Sequence, residues 1–264
     1  MLKTRAIPCL LLKDAALVKT IRFENPSYVG DPGNAIRIYN EKEVDELIFV
    51  DITAGIEGRP PAFDLIERLA AECFMPLAYG GGITSVVQMR ELFRLGVEKA
   101  VVNSAAIANP ELIREAAGEF GNQAIVVSID AARLADGSYE VRTAGGRQSS
   151  GMDPRSWAEA AATLGAGEIL LTSIDRDGTM EGYDVELIRQ VSGAVDIPVI
   201  ACGGVGDWTH FAAALERTAV DAVAAANIFN YTDQSVYLAK KYLYARHFNV
   251  RPPDLELVEK GQHT

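Results

Sequence analysis

Self-similarity at a fixed spacing constrains this chain more than any other feature. One offset of 122 residues lays Glu46 on Glu168, Ile52 on Ile174, Leu65 on Leu187, Ile66 on Ile188, Pro76 on Pro198 and Gly81-Gly82 on Gly203-Gly204, with no gap between those points. Repetition at constant period marks a fold assembled from copies of one supersecondary unit. Within each copy, short β-rich apolar runs alternate with amphipathic helical patterns, the mark of βα units around a parallel sheet. The runs predict strands over 5–11, 46–52, 76–79, 99–103, 124–130, 168–174, 198–202 and 221–226. Helices are predicted over 62–71, 85–95, 110–118, 157–164, 185–191, 208–216 and 234–244. Eight parallel strands with crossovers close most simply into a (β/α)8 TIM barrel, here two repeated half-barrels spanning 1–246. The glycine-punctuated stretch 135–151 predicts a small hairpin, and the polar segment 247–264 predicts a C-terminal tail.

The repeat also exposes an asymmetry. Setting Arg5–Leu11 over Ala124–Asp130 brings Leu11 onto Asp130, so one half ends its first strand in an acid and the other in leucine. A pair of acids at matched strand ends can share proton transfer on one substrate, whereas Leu11 exchanges no proton. Asp130 is therefore the candidate catalytic residue; the alternative is a hydrogen-bonded strand-end carboxylate without catalysis.

The 264 residues, 48% hydrophobic and 23% charged, suit a globular chain with a large core. A net charge of −11 argues against nucleic-acid or membrane-surface binding, although backbone amides can still hold an anion locally. Three cysteines and three histidines, without ligand spacing, predict a reducing, cytoplasmic setting with no zinc site and no cofactor. Asp175-Arg176-Asp177-Gly178 reads either as a hard-cation loop or as a substrate-side βα loop, and the second fits the missing ligand spacing better.

Two further groups are chemically pointed. Glycines after the third and seventh strands (Gly80-Gly81-Gly82 and Gly203-Gly204), each followed by a strand ending in small polar residues, suggest two phosphate cradles; tight βα turns would need the same glycines. Arg5, Glu46, Lys99 and Glu168 fall at strand starts on the opposite end of the barrel. Buried charges persist mainly when paired, so these four form either a plug or a charged passage.

At this point a resemblance is specific. IPCL at Ile7–Leu10, FEN at Phe23–Asn25, GDP at Gly30–Pro32, DITA at Asp51–Ala54, GGGI at Gly80–Ile83, GAGEILLTSIDRDGT at Gly165–Thr179 and GYD at Gly182–Asp184 resemble, in order, the motifs of the imidazole glycerol phosphate synthase cyclase family. The resemblance implies a barrel that takes ammonia from a separate glutaminase subunit and uses it on a bisphosphorylated ribulosyl-formimino-carboxamide ribotide. It implies phosphate and substrate contacts at Gly82, Asn103 and Ser104 on one side, Asp177, Gly178, Gly204 and Asn227 on the other, with Asp51 and Lys19 in the binding set. It makes Arg5, Glu46, Lys99 and Glu168 an ammonia gate, with Glu98 beside it in place of an aspartate. The family pattern is broken at Leu11, at Thr20, where a glycine is usual, and at Asn227, which replaces a smaller serine-like residue. IPCLLLK together with FMPLAYGGGI resembles a subgroup associated with surface-polysaccharide assembly, which implies a sugar amidotransferase as a further partner.

Overall fold

The computed structural model describes residues 3–42, 44–230 and 236–253. In chain order its strands are β1 (Arg5–Lys13), β2 (Ala16–Ile21), β3 (Glu24–Gly30), β4 (Leu47–Asp51), β5 (Leu77–Gly80), β6 (Lys99–Val102), β7 (Ile125–Arg133), β8 (Tyr139–Thr143), β9 (Gln148–Ser149), β10 (Glu168–Ser173), β11 (Val199–Cys202) and β12 (Ala222–Ala225). Eight of these, β1, β4, β5, β6, β7, β10, β11 and β12, pair in parallel in that order, and β12 returns to β1 to close the ring. This is the predicted (β/α)8 barrel, and closure leaves it without an open edge.

Helices α1 (Pro32–Glu41), α2 (Ala54–Glu57), α3 (Phe63–Glu72), α4 (Val86–Arg94), α5 (Ser104–Ala108), α6 (Glu111–Phe120), α7 (Pro154–Leu164), α8 (Val185–Ser192), α9 (Trp208–Arg217) and α10 (Val236–Ala245) occupy the connections and the C-terminal end. Their starts are written in the sequence. Asp31, Ser85, Asp153, Asp184 and Asp207 each accept a bond from a backbone N–H of the first turn, and Pro32 and Pro154 sit at the first helical positions. The repeat survives in this detail. Thr84 N–H donates to the Gln88 side chain at 2.7 Å, and at the equivalent place Gly206 N–H donates to His210 Nδ1 at 3.0 Å.

Strand alternation sorts the apolar residues into two layers. Ile7, Cys9, Ile48, Val101, Val126, Leu170 and Ile200 fill the barrel interior, while Leu10, Leu12, Phe49 and Ile129 pack outward beneath the helices. Register confirms the equivalence of Leu11 and Asp130. Leu11 lies opposite Val50, Asp130 lies opposite Thr172, and Val50 and Thr172 are themselves one repeat apart.

The structure adds three things to the sequence expectation. First, β1 runs two residues further than predicted and continues into an antiparallel hairpin, β2–β3, folded off the barrel. Second, the predicted hairpin at 135–151 comprises β8 and β9, with β8 antiparallel to the extended end of β7. Third, the tail does not begin at His247. Thr4 N–H donates to Asn249 C=O at 2.8 Å, Val250 is buried and Phe248 packs on the core, because two apolar side chains there find a place under the barrel. Residues 254–264 of the predicted tail, and 234–235 at the start of the last predicted helix, lie outside the described residues.

Candidate functional site

The C-terminal ends of the barrel strands surround a cavity of about 420 Å³. Its floor is apolar, built by Cys9, Leu11, Val50, Val101, Leu170 and Cys202. Into it projects Asp130, carried by the same inward alternation that carries Leu11. Asn103 Nδ2 donates to Asp130 Oδ2 at 2.8 Å and Ser128 Oγ donates to Oδ1 at 3.3 Å. Burial pushes the Asp130 carboxyl up to about 7, and the nearby charge of Asp177 adds to that against the two hydrogen bonds. A carboxyl poised there suits general acid/base work at neutral pH.

Asp51, by contrast, is committed locally. It accepts from the backbone N–H groups of Thr53 and Ala54, both at 3.1 Å, and pairs with the Arg59 guanidinium at 2.9 and 3.0 Å. Asp51 thus braces the turn after β4, with one edge on the cavity.

The glycine turns need their glycines. Gly81 and Gly203 have φ of 112° and 94°, and a Cβ would stand 2.4 Å from the Asp51 carbonyl oxygen at the first and 2.7 Å from the Ser173 carbonyl oxygen at the second. Asp51 and Ser173 are one repeat apart, so the two halves make the same close approach. The ligand space beside them differs. Gly82, Asn103 and Ser104 line the large cavity, whereas Gly178 and Gly204 line an adjoining recess of about 20 Å³, which shares Asp177, Cys202 and Ala226 with the large cavity.

At the other end of the barrel the four charges form a closed alternating ring. Arg5 donates to Glu46 at 2.5 Å and to Glu168, while Lys99 Nζ donates to both oxygens of Glu46 and to Glu168, each at 2.8 Å. Both glutamates are buried. Burial disfavours the Arg5 charge, but the hydrogen bonds and charges of Glu168 and Glu46 outweigh it and raise its pKa. Glu98, next to the ring, is exposed.

The histidine biosynthesis protein family matches residues 5–235. The imidazole glycerol phosphate synthase subunit HisF of Streptococcus mutans is 45% identical over 251 residues, covering 95% of this chain and all of that protein. The HisF subunit of Streptococcus sanguinis matches with the same identity and coverage. The chain belongs to the histidine biosynthesis protein family.

Against this family framework the hairpin is the feature that sequence reasoning missed. Thr20 Oγ1 donates to Asp177 Oδ2 at 2.8 Å, Arg22 N–H donates to the Asp177 carbonyl at 2.9 Å, and a Cβ on Gly178 would lie 2.2 Å from the Thr20 carbonyl oxygen. The hairpin therefore rests on the Asp175–Gly178 loop, and Thr20 contributes a bond that a glycine could not make. Burial raises the Asp177 pKa, against bonds from Thr20 and from the backbone of Phe23. Lys19 sits on β2 and lines neither the cavity nor the recess. Asn227 opens a 3-10 turn, Asn227–Asn230, after β12.

Arg147, which carried no motif, and Lys13, the last residue of IPCLLLK, also line the cavity. Neither makes an ion pair among the described residues. Ala144 N–H donates to Ser104 Oγ at 3.1 Å, which holds the loop bearing Arg147 over the first cradle. No group of three or more His, Cys, Asp or Glu side chains suited to a metal occurs among the described residues, and no described helix is long and apolar enough to cross a membrane.

Proposed function

We propose that this chain is the ammonia-receiving barrel subunit of a glutamine amidotransferase complex in which the cyclase chemistry has been replaced by ammonia delivery. The observation that carries the reading is an intact charge ring beneath a cavity with leucine at the register position equivalent to Asp130. The ring offers ammonia a polar entrance from a glutaminase docked on the face bearing Glu98 and Lys99, and Arg5 and Lys99 hold Glu46 and Glu168 in place. Inside, Asp130 is poised to take or give one proton, but Leu11 contributes none, so cyclisation lacks its second proton-transfer group. The amidated product is a surface-polysaccharide sugar, and a sugar amidotransferase takes the ammonia onward.

A second reading is a genuine imidazole glycerol phosphate synthase cyclase that works with Asp130 alone. The 45% identity to HisF and the Asp130 carboxyl near neutral pH favour it. The test is turnover of the family's ribotide substrate with ammonium salts. The delivery reading expects turnover slower than in a two-acid barrel by ~10² to 10⁴, with partial recovery in Leu11→Asp. Ordinary turnover in the unmodified chain would establish the cyclase. Failure to form a complex with a glutaminase encoded beside it, or to raise its glutamine hydrolysis, would remove the delivery reading.

A further inference from the structure

The loops at the C-terminal ends of the barrel strands are apolar on their outer side as well as toward the cavity. Of the nine large hydrophobic side chains exposed among the described residues, four (Ile21, Tyr28, Ile56 and Met180) lie on these loops. Ile21, Tyr28 and Met180 line neither the cavity nor its adjoining recess, so a small molecule bound inside would not touch them. Exposed apolar residues gathered around one opening mark a surface that another protein covers. The loops also meet one another over the mouth: a Cβ on Gly145 would lie 3.0 Å from Ile56, and one on Gly146 3.2 Å from Phe23 at the hairpin tip. Beside them β3 pairs only with β2 among the described strands, and its first five residues are exposed, which leaves an open sheet edge. Thr20 and Arg22 tie the hairpin to Asp177, so a partner docking here would find the surface already ordered. The acids Glu57 and Glu181 on these loops are paired with Arg59 and Arg176, whereas Lys13 and Arg147 face the mouth with no ion pair among the described residues.

We propose that this apolar rim is the docking surface for the sugar amidotransferase that consumes the ammonia, which caps the cavity mouth and sets acidic side chains against Lys13 and Arg147. Position identifies the occupant. The rim encircles the opening at the end of the barrel opposite the charge ring, so it surrounds the exit of the passage whose entrance faces the glutaminase. Ammonia released from an open mouth would be protonated in bulk water and lost as a nucleophile, whereas a partner sealed on the rim would receive it directly. A second copy of this chain seated mouth to mouth would join two exits and provide no acceptor. Unpaired cations beside an apolar patch favour an acidic partner surface. The proposal rests on the delivery reading and adds to it the surface through which delivery is completed.

The experiment assembles the full chain with the glutaminase and the sugar amidotransferase encoded beside it. Glutamine carrying heavy nitrogen in its side-chain amide is supplied in a buffer of unlabelled ammonium salt, and the label in the amidated product is read by mass spectrometry. A sealed exit should place the label, not bulk ammonium, in most of the product. Ile21 and Tyr28 are 58% and 73% exposed, so the double variant Ile21→Glu, Tyr28→Glu should weaken amidotransferase binding by about tenfold or more in sedimentation. The labelled share should fall with it, while glutaminase binding and glutamine hydrolysis stay unchanged. Amide exchange of the free variant checks that its hairpin is still folded. In the native chain, addition of the amidotransferase should slow exchange across the β2–β3 hairpin and the β8–β9 turn. Four results would each overturn the proposal: no complex with the amidotransferase, protection confined to another face, unaltered binding by the double variant, or dimerisation of the chain alone through these residues. A glutaminase that neither binds nor is stimulated refutes the delivery reading itself, whereas an intact glutaminase complex with an unprotected rim refutes only this surface.

Discussion

Asp130→Asn isolates the cost of keeping a carboxyl at the cavity wall. The substitution preserves shape and both hydrogen bonds, because the amide oxygen can still accept from Asn103 and its N–H can donate to Ser128. It removes the ionisation. In the native protein the Asp130 carboxyl is raised to about 7, against ~3.9 in an unfolded chain. Between those values the folded state holds a proton that the unfolded state has released, so stability falls as pH rises from about 4 to 7 and levels off above. Three units at ~1.4 kcal/mol each give about 4 kcal/mol as an upper figure, and partial opening to cavity water reduces it to about 2–4 kcal/mol. At roughly 2–4 °C per kcal/mol for a chain of this size, Asp130→Asn should melt roughly 5–10 °C higher than the native protein at pH 8. The gap should close toward pH 4. The assay is calorimetric melting of both proteins across pH 4–8. Parallel melting curves, or a variant less stable at pH 8, would show that Asp130 is not desolvated and would remove the basis for its catalytic role.

Three further outcomes follow from the geometry. Lys99→Ala leaves Glu46 and Glu168 with Arg5 as their one cation in the ring, so in the complex with the glutaminase, glutamine hydrolysis should continue while product per glutamine falls. An unchanged ratio with only a lower melting temperature would make the ring a structural plug. Thr20→Val removes the buried bond to Asp177 at little change in volume and should cost about 1–2 kcal/mol, read as faster amide exchange across residues 16–30 with exchange elsewhere unaltered. Gly81→Ala forces a Cβ against the Asp51 carbonyl at a positive φ, so soluble yield and melting temperature should both drop sharply.

The barrel was legible because its strands are the apolar β-branched runs and its helices carry their own caps; each predicted strand boundary lies within three residues of the observed one. The first-strand asymmetry was legible for the same reason, since strand register is fixed by a buried inner face. The β2–β3 hairpin was not legible. Its two-residue turns place Asp14 and Ala15, then Arg22 and Phe23, at positive φ, the pattern of a type I′ turn that asparagine and glycine normally signal. Neither turn carries that signal. The second is held instead by the Asp177 carbonyl, a partner 155 positions along the chain from Arg22. Arg147 was illegible on similar grounds, because only the folded loop after β8 brings it to the cavity, and Lys13 stands there because β1 outruns its predicted end by two residues.

The charge ring has a consequence for how far the two halves could ever be separated. Each contributes one glutamate, Glu46 or Glu168, in matching places, but both cations come from the first half. At the positions equivalent to Arg5 and Lys99 the second half carries Ala124 and Asp221. A homodimer of second halves would therefore bring acids together at its base with nothing to neutralise them. A homodimer of first halves would gather four cations around two glutamates. Only the unlike pair balances, so the duplication that built this barrel has become irreversible at its floor.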